Sequence, residues 1–214
     1  MKSVDMLAFD LDGTLIDSTI DLTDSVNHAL STLGLAEITV EAVKEYVGDG
    51  VSATVQRALG GQADKYFPQA IELFRDYYEG HLLDHTALYP DVVDFLAYFG
   101  DKKKVLVTNK TEKYTLRIVK SLRINDYFLD VCGEDSTPFK KPDPRLLELI
   151  MEKRGVVPAR TVMIGDGAND ILLAKRAGAI SCAFLNGISD REKLLSLAPD
   201  FVCERLSDLK AFFC

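Results

Sequence analysis

Apolar runs and helical spacings alternate along this 214-residue chain in an order that predicts most of its elements. Val4 to Phe9 is a short apolar segment of the kind a buried strand shows. The period then changes. Asp17 to Leu33 carries apolar residues at helical spacing and stops at Gly34, a residue suited to a helix C-terminus. A second helix starts near Thr39, whose hydroxyl can cap it, and runs to Val47. Gly48-Asp49-Gly50 breaks it. Val51 to Leu59 forms a third helix ended by Gly60-Gly61, and about Ala63 to Leu83 a longer fourth. No convincing strand interrupts residues 17–83.

From Tyr89 the two periods alternate. Pro90 suits the first turn of a helix ending at Gly100, and Lys104 to Val107 is a strand followed by Thr108-Asn109-Lys110. Thr111 can cap the next helix, to about Leu122, and Phe128 to Cys132 is a strand. Pro144 to Arg154 is a helix closed by Gly155, and Arg160 to Ile164 a strand running into Gly165-Asp166-Gly167-Ala168-Asn169-Asp170. A helix to Ala177, a strand over Ile180 to Leu185 and two short terminal units complete the order. Strands and helices alternating at these lengths imply right-handed βαβ units, hence an α/β fold with a parallel sheet. The all-helical stretch is an insertion after the first strand.

Composition narrows the partners. Hydrophobic residues at 47% support a sizeable core, and a net charge of −8 disfavours nucleic acid and anionic membrane surfaces. A phosphorylated ligand would need a local positive site built from lysine, metal or backbone N–H groups. No apolar run approaches the roughly 20 residues of a membrane span. Met1-Lys2-Ser3 leads directly into the first strand, so no signal peptide is expected. Cys132, Cys182, Cys203 and Cys214 form no C-x-x-C pair and read as reduced thiols of a cytoplasmic protein. No heptad seam fixes an oligomeric state, leaving monomer or homodimer.

The candidate chemistry begins at Asp10 and Asp12, two carboxylates where the first strand gives way to Gly13-Thr14. Bunched carboxylates repel one another, and a magnesium ion with its preference for oxygen ligands would offset them. Acidic pairs also occur in ordinary turns, so the pair alone decides little. In parallel sheets, however, ligands bind beyond the carboxyl ends of the strands. Asp10, Asp12, Thr108, Lys141 and Asp166 all fall at or after such ends and can converge.

Four segments, FDLDGTL, VTNK, KKPDP and GDGANDI, together resemble the haloacid dehalogenase superfamily of aspartyl-nucleophile phosphohydrolases. VTNK and the YVGDGV stretch are similar to its phosphoglycolate phosphatase branch. The resemblance implies a Rossmann-like core over residues 1–16 and 87–214, with a helical cap over 17–86. It also implies a magnesium-dependent phosphatase of small phosphorylated metabolites, most of all 2-phosphoglycolate. Asp10 would be the nucleophile and Asp12 the general acid and base. Lys141, directly before a proline, would neutralise the phosphoryl group, with Lys140 as surface charge. Thr108, Asn109 and backbone N–H groups from Leu11 onward would bind phosphate. Asp10, the Asp12 carbonyl and Asp166 would hold the metal, with Asp170 supporting it through water or orienting Lys141.

Gly48-Asp49-Gly50 is either a helix–helix turn or a cap loop closing over the site. Lys110 is either a contact to a substrate carboxylate or a solvated side chain. The Lys102-Lys103-Lys104 run reads as a solvated turn, and His81 and His85 as cap or hinge surface residues rather than metal ligands. Hinges should lie near 16–19 and 85–88. The family also holds phosphosugar mutases and pyrophosphatases, and a non-catalytic binding protein could keep the fold. A dehalogenase is disfavoured, because that branch lacks the second aspartate.

Overall fold

The computed structural model describes residues 1–214. Six parallel strands make the main sheet: β1 (Met6–Phe9), β4 (Lys103–Val107), β5 (Asp130–Cys132), β6 (Thr161–Gly165), β7 (Ile180–Phe184) and β8 (Phe201–Cys203). Their order is β5-β4-β1-β6-β7-β8, so β1 is central and runs between β4 and β6. Met6 pairs with both Lys103 and Thr161, which brings the C-terminal ends of these three strands side by side.

Alternate strand residues serve two layers. Leu7, Phe9, Leu106, Val162 and Ile164 face α5 (Val92–Tyr98) and α6 (Glu112–Ser121). Met6, Ala8, Val105, Val107 and Met163 face α7 (Pro144–Arg154) and α8 (Ala168–Arg176). A fifth core helix, α9 (Arg191–Ser196), precedes β8. Asp143 caps α7 by accepting from Arg145 N at 3.1 Å, and Gly155 closes it in the left-handed conformation.

The insertion is helical: α1 (Thr19–Thr32), α2 (Val40–Tyr46), α3 (Val51–Leu59) and α4 (Ala63–Gly80). As expected, the Thr39 hydroxyl caps α2, accepting from Ala42 N at 3.2 Å. The start differs from expectation. Ile16–Asp17 is a strand, β2, paired antiparallel with β3 (Ala87–Leu88), so chain leaves and returns through one stem. Asp17 ends the ladder by turning its carboxylate to Thr19, accepting from Thr19 N at 3.0 Å and Thr19 Oγ1 at 2.7 Å, and α1 begins there. Asp21, buried in α1, accepts from His85 N at 2.9 Å and from Thr86 N and Oγ1 at 2.8 and 2.6 Å. It ties the return segment to the first cap helix.

Other expectations need correction. Lys103 and Lys104 are not a solvated turn: both lie in β4, and Lys104 is buried. Their ammonium groups reach carbonyls at helix ends, Lys103 to Arg154 O and Lys104 to Phe99 O, each at 2.5 Å. Burial holds the Lys104 amine below its usual range. Thr111 does precede α6, but its buried hydroxyl makes no hydrogen bond. His81 pairs with Asp84 at 2.6 Å and stacks on Tyr77 at 4.0 Å, while His85 is exposed in the return segment. No helix is long and apolar enough to cross a membrane.

Candidate active site

The ends of β1, β4 and β6, with the loop before α7, bring the dispersed polar residues together. Asp10 follows β1 and is almost fully buried. Its Oδ1 accepts from Leu11 N at 2.7 Å and lies 2.8 Å from Lys141 Nζ. Leu11's N–H, expected to face phosphate, is therefore taken by the Asp10 carboxylate. Oδ2 accepts no hydrogen bond from the chain. Lys141 Nζ also donates to Asp170 Oδ1 at 2.7 Å, so Asp170 orients this lysine. Burial alone would depress the Lys141 amine, but Asp10 and Asp170 outweigh it and hold the group charged above its ordinary range.

Asp166, after β6, accepts from Thr14 Oγ1 at 2.9 Å and Ile188 N at 2.8 Å. The approach leaves no room for side chains. A Cβ on Gly13, whose φ is +83°, would lie 2.2 Å from Asp166 Oδ2, and one on Gly165 2.1 Å from Asp170 Oδ2. Glycine is required at both places. Burial, then the neighbouring Asp10 charge, pushes the Asp166 carboxyl up to about 7; burial likewise raises Asp170. One oxygen from each of Asp10, Asp166 and Asp170 lies within 4.8 Å of the others. Three crowded carboxylates against one ammonium, offering only oxygen donors, suit a divalent cation of hard character.

Asp12 stands apart from this cluster. Its Oδ1 accepts from Ser18 Oγ at 2.5 Å, and Lys110 Nζ donates to Oδ1 and Oδ2 at 2.9 and 3.0 Å. Lys110 is thus not solvated: it is 5% exposed, with its ammonium 5.0 Å from the Tyr78 ring centroid of α4. Burial opposes its charge, but Asp12 outweighs burial and keeps the amine above its normal range. The Tyr78 hydroxyl, also buried, makes no hydrogen bond.

The side-chain amide of Asn109 is engaged within the chain. Oδ1 accepts from Lys141 N at 3.1 Å, and Nδ2 donates to Gly48 O at 3.0 Å and Lys141 O at 3.2 Å. The side chain fastens the Lys141 loop and the cap loop. Asn169 reaches the same loop, donating to Asp49 Oδ1 at 2.7 Å and Gly48 O at 3.3 Å. Arg57 pairs with the other Asp49 oxygen, so Gly48-Asp49-Gly50 is docked on the core rather than being a free turn. Ser18, Tyr78 and Asn169 were not anticipated as site residues. Only Asn169 carried a signal, lying inside GDGAND.

Two cavities meet at Asp10. The larger, about 730 Å³, lies on the Lys141, Asp170 and Asn169 side and is lined by Lys44, Arg57 and Lys193. The smaller, about 40 Å³, lies on the Asp12, Thr108 and Lys110 side under Leu22, Val47 and Val51 of the cap.

Residues 7–184 match the family model described as haloacid dehalogenase-like hydrolase. The chain belongs to that family. Among curated relatives of this hydrolase, the phosphoglycolate phosphatase of Vibrio vulnificus (strain CMCP6) is 39% identical, over 97% of this chain and 95% of that protein. Phosphoglycolate phosphatase 1 of Pseudomonas aeruginosa is 34% identical, over 95% of this chain and 78% of its own length. A solved structure described as a predicted phosphoglycolate phosphatase from Haemophilus somnus 129PT superposes with a TM-score of 0.92 at 27% identity. That match covers 98% of this chain and 97% of the other.

Proposed function

We propose that this hydrolase is a magnesium-dependent phosphatase of small phosphomonoesters, with 2-phosphoglycolate as its leading substrate. The observation that carries the reading is Asp10, with Oδ1 fixed by Lys141 and the Leu11 N–H while Oδ2 is unengaged where the two cavities meet. An immobilised carboxylate with one free oxygen can attack phosphorus and form an aspartyl phosphate. Magnesium held by Asp10, Asp166 and the Asp12 carbonyl would supply charge neutralisation at the phosphoryl oxygens. Lys141, kept in place by Asp170, opposes the same developing charge from the protein side. Thr108, whose buried hydroxyl lines the smaller cavity, is the side-chain donor to phosphate. Asp12 protonates the leaving oxygen and then takes a proton from the water that hydrolyses the intermediate.

Asp12 lines the smaller cavity, so the leaving group is assigned to that side, where the narrow space favours a small acid over a hexose. This favours the phosphatase reading over a sugar phosphate mutase. The residues between the β2–β3 stem strands act as the cap that closes this space.

The test is phosphate release across phosphoglycolate, hexose phosphates, nucleoside monophosphates and pyrophosphate, with magnesium or chelator. Metal-dependent release, greatest for phosphoglycolate and lost in Asp10→Asn by about 10⁴-fold or more, is the expected result. Release unchanged in Asp10→Asn would remove the nucleophile assignment.

A further inference from the structure

The wall of the smaller cavity carries two carboxylates, Asp10 and Asp12, and one cation, Lys110. An ammonium offers three N–H donors. Asp12 accepts from Lys110 at both oxygens, and no other carboxylate or carbonyl oxygen takes the remaining donor, which has the Tyr78 side chain beside it. The side chain is held by its surroundings, with Asp12 at one side, the Tyr78 ring at another and almost no solvent contact.

A neutral leaving group in this space would cover a charged donor without satisfying it, which costs more than the absence of one bond suggests. A carboxylate would satisfy it. Distance fixes how far that carboxylate can be from the reacting ester. Lys110 Nζ is within 3.0 Å of the Asp12 carboxylate, the group that faces the ester oxygen in the proposed reaction. The two anionic groups of the substrate must therefore be separated by only a few bonds.

We infer that Lys110 is a specificity-determining residue that receives a carboxylate of the leaving group, selecting short phosphooxy-carboxylic acids over neutral esters of the same size. The inference rests on the phosphatase reading above, with the leaving group lodged beside Asp12. Lys110 keeps its hold on Asp12 and adds the substrate carboxylate through its remaining N–H, so one ammonium aligns the proton donor and the leaving group together.

The experiment compares kcat/KM for 2-phosphoglycolate and 2-hydroxyethyl phosphate, in which a neutral CH2OH replaces the carboxylate. Wild type should prefer phosphoglycolate by about 10- to 100-fold, the worth of one hydrogen bond to a charged group. Lys110→Met should bring the ratio close to one, raising KM for phosphoglycolate most, and Lys110→Arg should restore part of the preference. A wild-type ratio near one overturns the inference without any variant. So does a Lys110→Met enzyme whose kcat falls equally on both esters with the ratio intact, because Lys110 would then serve Asp12 alone. Absence of phosphate release from either ester by wild type would instead overturn the phosphatase reading, and this inference with it.

Discussion

The two aspartates at the end of β1 are each met by a buried lysine, and the two pairings are built from different parts of the molecule. Lys141 is shared between Asp10 and Asp170, and all three residues come from the sheet core. Lys110 grips both oxygens of Asp12, and what covers it is Tyr78, from cap helix α4. The ion pairs of Lys141 are therefore complete within the core, whereas that of Lys110 is finished only by the cap. On this basis the pairing on Asp10 should be indifferent to cap position, and the pairing on Asp12 should depend on it.

The largest effect expected from this contrast is at Lys141. Lys141→Met leaves three crowded carboxylates without their cation and should lower kcat by about 10²–10³-fold, as loss of a positioned charge commonly does. Steady-state kinetics beside Lys110→Met check it, and a larger kcat loss in Lys110→Met would reverse the contrast. Next comes metal binding read without turnover. Magnesium at about 100 times its dissociation constant should stabilise the folded chain by about 2.7 kcal/mol. For a chain of this size that is about 5–10 °C in Tm. The shift should vanish in Asp166→Asn and persist in Lys110→Met; loss in both would mean that the two halves are not independent. The smallest effect is at Asn169→Ala, which releases Asp49 and Gly48 of the cap loop. KM should rise by about 2- to 10-fold with kcat nearly unchanged, the net worth of one neutral hydrogen bond or so.

The same division decides what could be read from the sequence. Asp10 and Asp166 lie where strands end and Lys141 in the loop that follows another, and the hydrophobic pattern marks those ends, so their convergence was legible from the sequence. Asp170 was legible as a site residue, and the structure shows its Oδ1 accepting from Lys141 Nζ. Lys110 was ambiguous because its burial is conferred by Tyr78, and Asn169 was not anticipated because its partner Asp49 lies 120 positions away. Asn109 is the reverse case: beside Thr108 its sequence position gives no sign that its side-chain amide bonds Lys141 and Gly48. Strand β2 was missed because two residues are too few to show a period of two. The Lys103 and Lys104 ammonium groups were misplaced because the carbonyls that receive them belong to the ends of other segments.

The β2–β3 stem has a consequence for how such a chain can change over evolutionary time. Ile16 pairs with Leu88 and Asp17 with Ala87, so the ends of the inserted helices are already held together by the core's own ladder. For a segment anchored in this way, doubling its length adds only about 0.6 kcal/mol of closure entropy. Helices can be added, lost or exchanged above the stem while the sheet beneath keeps its register. The fold thus separates the sheet that carries Asp10 and Lys110 from a replaceable cover, and the space above them can be reshaped by editing one contiguous stretch of gene.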